Sequence, residues 1–123
     1  MRHSNLARRQ KSCLLVVDVQ DRVLRALYDP ARVAGNCRRL VEGARILGVP
    51  ILVTTQNAPR LGPTTPELAE ALGEFEAFDK MAFSCCDAEG FMDRLDLLEK
   101  DTVIVCGMEA HVCVLQTVLD LVE

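Results

Sequence analysis

Three residues of this chain have the types and positions expected of groups that do chemistry. Asp18 ends an apolar run in the segment VVDVQ, Lys80 stands between apolar neighbours in FDKMAF, and Cys113 falls near the start of the last apolar periodic segment. A cysteine in the first turn of a helix is close to free N–H groups and to the positive end of the helix dipole, which lower a thiol pKa. The position of Cys113 therefore predicts an activated, nucleophilic sulfur.

Each of these residues also has an ordinary structural interpretation. Asp18 can cap the turn that follows its strand, and Lys80 can extend its ammonium group out of a partly buried strand. Cys113 can be one more buried cysteine on an amphipathic helix, although the apolar positions run through Val112 and Leu115. Taken one at a time, the three residues leave both interpretations open.

The elements that must position these residues follow from hydrophobic patterning. Continuous apolar runs, typical of buried parallel strands, cover 13–19, 51–54 and 102–106, and each ends near a polar or glycine residue. A weaker extended segment covers 76–83. The segment 55–65 contains one glycine and two prolines, which predicts an irregular loop.

Helices are predicted between these strands. Asp29 and Pro30 are typical of an N-cap and a first helical residue, and Gly48 of a helix end, so a long helix is expected between them. Shorter helices are expected near 68–72, after Asp87 as a cap, and from about His111 onward. Strand and helix alternation predicts an α/β fold, a doubly wound parallel sheet with helices on both faces, whose ligand site lies at the carboxyl ends of the strands.

Composition narrows the class of protein. The chain has 123 residues, 50% of them hydrophobic and 26% charged, which excludes a disordered chain. A net charge of -4 gives no electrostatic reason to expect nucleic acid or an anionic membrane as partner, and no apolar run approaches the roughly 18 residues of a membrane span. Residues 1–11 are expected to be a flexible leader and residues 12–123 the domain. Six cysteines without zinc spacing favour free thiols in the cytoplasm.

Three segments together resemble a known family. VVDVQ, DKMAFSC and VIVCGMEAHVCVLQT are similar to the signature segments of the isochorismatase-like cysteine hydrolases, and the third is the most specific because it aligns Gly107, Cys113, Val114 and Thr117. The loop TTQNAPRLGPTTPEL resembles the branch of isochorismatase domain-containing proteins. The resemblance covers roughly 13–122.

The resemblance implies a role for each residue. Cys113 matches the nucleophile, Asp18 the general base that takes its proton, and Lys80 the cation that stabilises the thiolate. Attack on an amide-like carbonyl would give an oxyanion held by the backbone N–H groups of Glu109 and Cys113, and then a thioester that water hydrolyses. The family also implies a cis peptide bond between Met108 and Glu109.

Other polar residues near these motifs have weaker assignments. Nicotinamidase-like members bind zinc through histidines in the loop after the second strand, and this chain has none there, so neither a metal nor a cofactor is expected. Gln20 and Gln56 are expected at the mouth of the cleft, as substrate-binding groups or as simple loop amides. His111 is a poor general base for Cys113, because residues two apart face different sides of a helix. Cys85 and Cys86 have no predicted role.

Two functional hypotheses remain at this point. The first is a hydrolase acting on a small amide, with a small-molecule substrate and further copies of itself as partners. The second is a truncated or inactive domain that acts through assembly or thiol oxidation. Members of the family continue past the last helix into further strands, so the resemblance predicts a C-terminally truncated fold in which the strand over 102–106 leaves an open apolar edge.

Overall fold

The computed structural model describes residue 1 and residues 3–123, so that Arg2 of the predicted leader lies outside the described part. It contains a four-stranded, entirely parallel sheet in the order β3-β2-β1-β4. The strands are β1 (Ser12–Val17), β2 (Ile51–Gln56), β3 (Ala77–Lys80) and β4 (Thr102–Gly107). The α-helices are α1 (Asp21–Leu24), α2 (Pro30–Leu47), α3 (Ala58–Leu61), α4 (Pro66–Leu72), α5 (Phe91–Leu98) and α6 (Leu115–Val122). The predicted three-layer α/β fold is confirmed.

The centre of the sheet is β1, which is buried along its whole length. Alternate side chains of a strand point to opposite faces, and here they enter two separate cores. Leu14 and Val16 pack on the face covered by α2 and α4, whereas Leu15 and Val17 pack on the face that also buries Phe91 of α5. A strand that is covered on both faces is built mainly from apolar residues, which explains the apolar run that follows Ser12.

The long helix α2 has the ends that its sequence predicts. The Asp29 carboxylate accepts a hydrogen bond from the Arg32 N–H (3.3 Å), and Pro30 is the first helical residue. Gly48, with φ 70°, ends the helix in the left-handed region that glycine adopts without a steric penalty. The helix therefore begins and ends where its sequence predicts, and it lies in the connection from β1 to β2.

Three local predictions differ from the structure. The predicted loop over 55–65 is partly ordered, since β2 continues through Gln56 and α3 forms a helical turn. Helix α5 begins after Gly90 and not at Asp87, because Cys85–Asp87 forms a 3-10 turn capped by the Ser84 side chain. The last helix opens with a π-helical turn, Ala110–Val114, before α6.

The edge of the sheet at β4 is open, as expected. Nothing in the described residues pairs with its outer side, and Ile104 is 37% exposed. The predicted apolar stripe of the last helix lies partly in solvent, with Leu119 at 56% and Val122 at 76% exposure, while Cys113 and Thr117 face inward. Among the described residues no helix is both long and apolar enough to cross a membrane.

Candidate active site

The four strands deliver polar side chains to one edge of the sheet. Asp18 follows β1, Gln56 ends β2, Lys80 ends β3, and Cys113 lies in the π-helical turn that follows β4. Because all four strands are parallel, their carboxyl ends meet at the same edge, where open α/β sheets bind ligands. The structure therefore brings together the three residues that the sequence singled out for catalysis and places Gln56, expected at the mouth of the cleft, beside them.

Asp18 and Lys80 form a buried ion pair. The Lys80 Nζ lies 2.8 Å from Asp18 Oδ2, and the two side chains are 0% and 2% exposed, respectively. The ammonium group also donates to Gln56 Oε1 (2.6 Å) and to the Ala82 carbonyl (3.3 Å). Two charges in a protein interior are tolerated when they are paired and hydrogen bonded, and here the three N–H donors of the lysine are all used.

The turn that carries Asp18 is held by its own backbone and by β2. Asp18 has φ 53°, in the left-handed region that aspartate tolerates better than most residues. Its N–H donates to the Thr54 carbonyl (3.2 Å), and its Oδ1 accepts from the Thr54 hydroxyl (2.9 Å). The carboxylate is thus fixed on both oxygens, one by a hydroxyl and one by an ammonium group.

Cys113 is a thiol held beside this ion pair. Its side chain is 7% exposed, and its Sγ lies 4.0 Å from Gln56 Oε1. Burial, and then the Asp18 carboxylate close by, raise the pKa of the thiol to about 11, and Lys80 only partly opposes them. The prediction of a lowered pKa at this position is wrong, because burial and the neighbouring Asp18 carboxylate raise it.

A second set of side chains fixes the turn that carries Cys113, and their connection could not be predicted from the sequence. The Thr117 hydroxyl donates to the Cys113 carbonyl (2.6 Å) and accepts from the Cys85 N–H (2.9 Å). The Cys85 sulfur lies 3.5 Å from the Thr54 hydroxyl that holds Asp18. Thr117 belongs to the third motif and Cys85 ends the second, DKMAFSC, whereas Thr54 had no such signal.

Gln20 is placed differently from Gln56. It is 0% exposed, and its Nε2 donates to the Gln56 carbonyl (3.0 Å) and the Gly62 carbonyl (2.7 Å). Its Oε1 accepts from the Gln56 N–H (2.8 Å). Both protons of the amide group and its oxygen are therefore already hydrogen bonded. Gln20 is therefore neither an exposed loop amide nor a free donor for a substrate. It positions the backbone from which the Gln56 side chain reaches Lys80.

These groups open onto a small cleft of about 140 Å³. Its polar lining consists of Asp18, Gln56, Cys113 and Glu109, and the rest of the wall is apolar. The peptide bond between Met108 and Glu109 is cis, as the resemblance implied. Within the described chain the Glu109 N–H donates no hydrogen bond, which leaves it available at the edge of the cleft.

His111 lies outside the cleft. Its side chain is exposed and lines a separate groove together with Tyr28 and Arg32. Among the described residues no three His, Cys, Asp or Glu side chains are grouped so that they could hold a metal ion.

The sequence and the fold both match known proteins. A family model described as "Isochorismatase domain" matches residues 12–123. The secreted isochorismatase effector Isc1 of Phytophthora sojae is 40% identical over 119 residues, covering 91% of this chain and 55% of that protein. Isochorismatase domain-containing protein 2 of Rattus norvegicus is 37% identical over 116 residues, covering 93% of this chain and 53% of that protein.

Solved structures give the same result. The structure described as MAR1 ribonuclease from Caenorhabditis elegans superimposes with a TM-score of 0.87 at 40% identity, covering 95% of this chain and 60% of that one. YcaC from Pseudomonas aeruginosa, described with hexane-2,5-diol and covalent acrylamide, has a TM-score of 0.89 at 24% identity, covering 100% of this chain and 63% of that one. The chain spans about half the length of the curated relatives it matches. It belongs to the isochorismatase domain family.

Proposed function

We propose that this protein is a cysteine hydrolase that cleaves a small amide or a related C–N bond through Cys113. The observation that carries the proposal is that the Cys113 thiol lines the same small cleft as the Asp18 carboxylate, which is itself paired with Lys80 at 2.8 Å. A nucleophile, a base within reach of its proton and a cation that orients the base are the parts that covalent hydrolysis requires.

The raised pKa of Cys113 favours the neutral thiol in the resting protein. As the sulfur attacks a carbonyl carbon, its proton passes to Asp18. The Lys80 ammonium then faces a neutral acid and interacts with the charge that has moved onto the substrate. Because the charge is created only during attack, the reactive thiolate does not have to persist in the resting protein.

The tetrahedral oxyanion requires hydrogen-bond donors at the edge of the cleft. The free N–H of Glu109 is one candidate, and the N–H of Cys113 is the second. Collapse of this intermediate breaks the C–N bond, and the leaving amine takes the proton from Asp18. Water, deprotonated by the same carboxylate, then hydrolyses the thioester, which releases a carboxylic acid and restores the thiol.

A ribonuclease activity, which the description of the Caenorhabditis elegans structure names for that protein, fits this chain less well. Nucleic-acid binding depends on cations that neutralise phosphates. The chain carries a net charge of -4, and within the described cleft the one nearby ammonium group is buried and fully paired. A small neutral carbonyl compound is a better match for such a site.

The test is turnover of small primary amides, measured as ammonia release, by the wild-type chain and by Cys113→Ser. Cys86→Ser is the matched control, since that cysteine is half-buried and does not line the cleft. Hydrolysis that is lost in Cys113→Ser and kept in Cys86→Ser supports the proposal. Hydrolysis that survives in Cys113→Ser, or no hydrolysis of any amide by the wild-type chain, contradicts it.

A further inference from the structure

We infer that Cys85 is a positioning residue for the proposed hydrolysis, because it holds the Asp18 carboxylate in place relative to Cys113. The inference rests on the proposed function and gives a role to a buried cysteine that the mechanism does not use. Cys85 does not line the cleft, so its effect on the reaction must pass through its neighbours. The link is a path of four hydrogen bonds that runs through two threonines, Thr54 and Thr117.

The first half of the path connects the Cys85 side chain to the base. Thr54 Oγ1 lies 2.9 Å from Asp18 Oδ1 and 3.5 Å from Cys85 Sγ. A hydroxyl has one proton and the carboxylate of an ion pair can only accept, so Thr54 donates to Asp18. The Cys85 thiol must then donate to the Thr54 oxygen, and burial favours this protonated form because it raises the pKa of Cys85. Cys85 therefore orients the hydroxyl that holds the carboxylate.

The second half of the path connects the Cys85 main chain to the nucleophile. The Cys85 N–H donates to Thr117 Oγ1 (2.9 Å), and the Thr117 hydroxyl donates to the Cys113 carbonyl (2.6 Å). Cys113 belongs to the π-helical turn Ala110–Val114, and Cys85 opens the 3-10 turn that follows β3. The two turns are therefore tied together at the residue that carries the attacking sulfur.

The path is closed to solvent. Its three linking residues are each 0% exposed, so bulk water cannot take the place of a lost hydrogen bond; they are Thr54, Cys85 and Thr117. Another connection between base and nucleophile passes through Lys80 and the half-buried Gln56, and it ends in a 4.0 Å approach of Gln56 Oε1 to the sulfur. Of these two connections, the path through Cys85 is the one in which no step exceeds 3.5 Å.

Proton transfer explains why this placement matters. The Cys113 proton can pass to Asp18 only while the two groups stay within hydrogen-bond reach, and a displacement of about 1 Å in a catalytic site can cost about 10²-fold in rate. Asp18 and Cys113 lie in different turns, one after β1 and one after β4. Loss of the path should therefore let the carboxylate shift away from the thiol, which slows hydrolysis without changing the walls that bind the substrate.

Turnover by paired variants tests each half of the path. Thr117→Val and Cys85→Ala each remove a hydrogen-bonding group, whereas Thr117→Ser and Cys85→Ser retain a hydroxyl at the same position. We expect kcat for amide hydrolysis to fall about tenfold in the first pair and to stay within about threefold of wild type in the serine pair, with KM unchanged. Cys13→Ala is the matched control and should leave kcat near the wild-type value, because it removes a sulfur that is also 0% exposed but lies at the opposite end of β1 from Asp18.

Alkylation of Cys113 by iodoacetamide needs no turnover and separates positioning from a loss of stability. Because Asp18 raises the pKa of Cys113, a carboxylate that shifts away should move the pH profile of labelling to lower pH in the valine and alanine variants. Peptide mass spectrometry of the same samples reports Cys13 and Cys37, two buried thiols that should label at the wild-type rate. An unstable variant would expose all of these thiols alike, whereas a shifted carboxylate changes Cys113 alone.

The outcomes distinguish this inference from the proposed function. Slower hydrolysis with a shifted labelling profile for Cys113 alone, both restored in the serine variants, supports the inference. Wild-type kcat in both Thr117→Val and Cys85→Ala overturns it, and so does faster labelling of the other buried thiols together with Cys113 in both variants. A wild-type chain that hydrolyses no amide contradicts the hydrolase assignment, and the labelling profile alone then decides whether Cys85 places Asp18. A shifted profile in the two variants keeps the positioning role, and an unshifted one removes it.

Discussion

Gln56 Oε1 accepts a 2.6 Å hydrogen bond from Lys80 Nζ, and this contact joins the ends of β2 and β3 directly above the ion pair. The same oxygen lies 4.0 Å from the Cys113 sulfur. Gln56 is held in turn by Gln20, which bonds to both its N–H and its carbonyl. The orientation of the Lys80 ammonium group therefore depends on a residue of β1's exit turn that never reaches the cleft.

Replacing Asp18 by Asn should change labelling and hydrolysis in opposite directions. The carboxylate raises the pKa of Cys113 by hydrogen bonding and charge, and Lys80 lowers it, so the Asn variant has a more acidic thiol. Alkylation by iodoacetamide at pH 8 should become faster, whereas hydrolysis should fall by about 10²–10⁴-fold because the base is lost. The alkylation rate is measured by quenching the labelling reaction at intervals, and the hydrolysis rate by ammonia release from the same preparation.

A decrease of both rates in Asp18→Asn would point to a folding defect, which circular dichroism would detect. Slower labelling with intact folding would mean that the carboxylate activates the thiol in the resting state, contrary to the geometry described above. Thr65→Val is a useful control, because that hydroxyl bonds to Asp21 and not to the ion pair.

The pH dependence of Cys113 labelling should follow the raised thiol pKa. With a pKa of about 11, only about one thiol in ten thousand is ionised at pH 7, and the fraction rises about tenfold per pH unit. The rate should therefore climb through pH 9 and 10, where a free thiol has already levelled off. A plateau near pH 7 in stopped-flow alkylation would contradict the assignment of burial and Asp18 as the dominant influences.

The sequence predicts where the residues of this site lie, but it does not predict properties that depend on contacts between residues remote in sequence. Asp18 and Lys80 could be placed because strand ends are visible as breaks in apolar runs, and the parallel sheet brings such ends together. The state of Cys113 could not, since its pKa depends on Asp18, a residue remote in sequence. The role of Gln20 also depends on register, which pairs Val17 with Thr54 and so places Gln56 beside the turn after β1.

Replacing Lys80 by Met should destabilise the protein more than any exposed lysine does. The change leaves the Asp18 carboxylate buried without its cation, and removal of one partner of a buried pair typically costs about 3–5 kcal/mol. Lys100→Met, at a half-buried residue that bonds only to the Gln10 carbonyl in the described residues, should change the free energy of unfolding by about 1 kcal/mol or less. Urea denaturation followed by circular dichroism compares the two, and equal effects would contradict the burial of the pair.

The exposed apolar surface beside β4 should make this chain self-associate. Ile104 on the open edge strand and Leu119 and Val122 on α6 are 37%, 56% and 76% exposed, and the outer side of β4 has no partner in the described residues. An unpaired strand edge with apolar neighbours favours pairing with another chain. Leu119→Glu with Val122→Lys should therefore lower the sedimentation coefficient at a given concentration.

The matched control is the pair Ile46→Glu with Leu97→Lys. It changes exposed residues of α2 and α5 and should have a smaller effect on the sedimentation coefficient. A wild-type chain that sediments as a monomer at high micromolar concentration would show that this surface does not drive association.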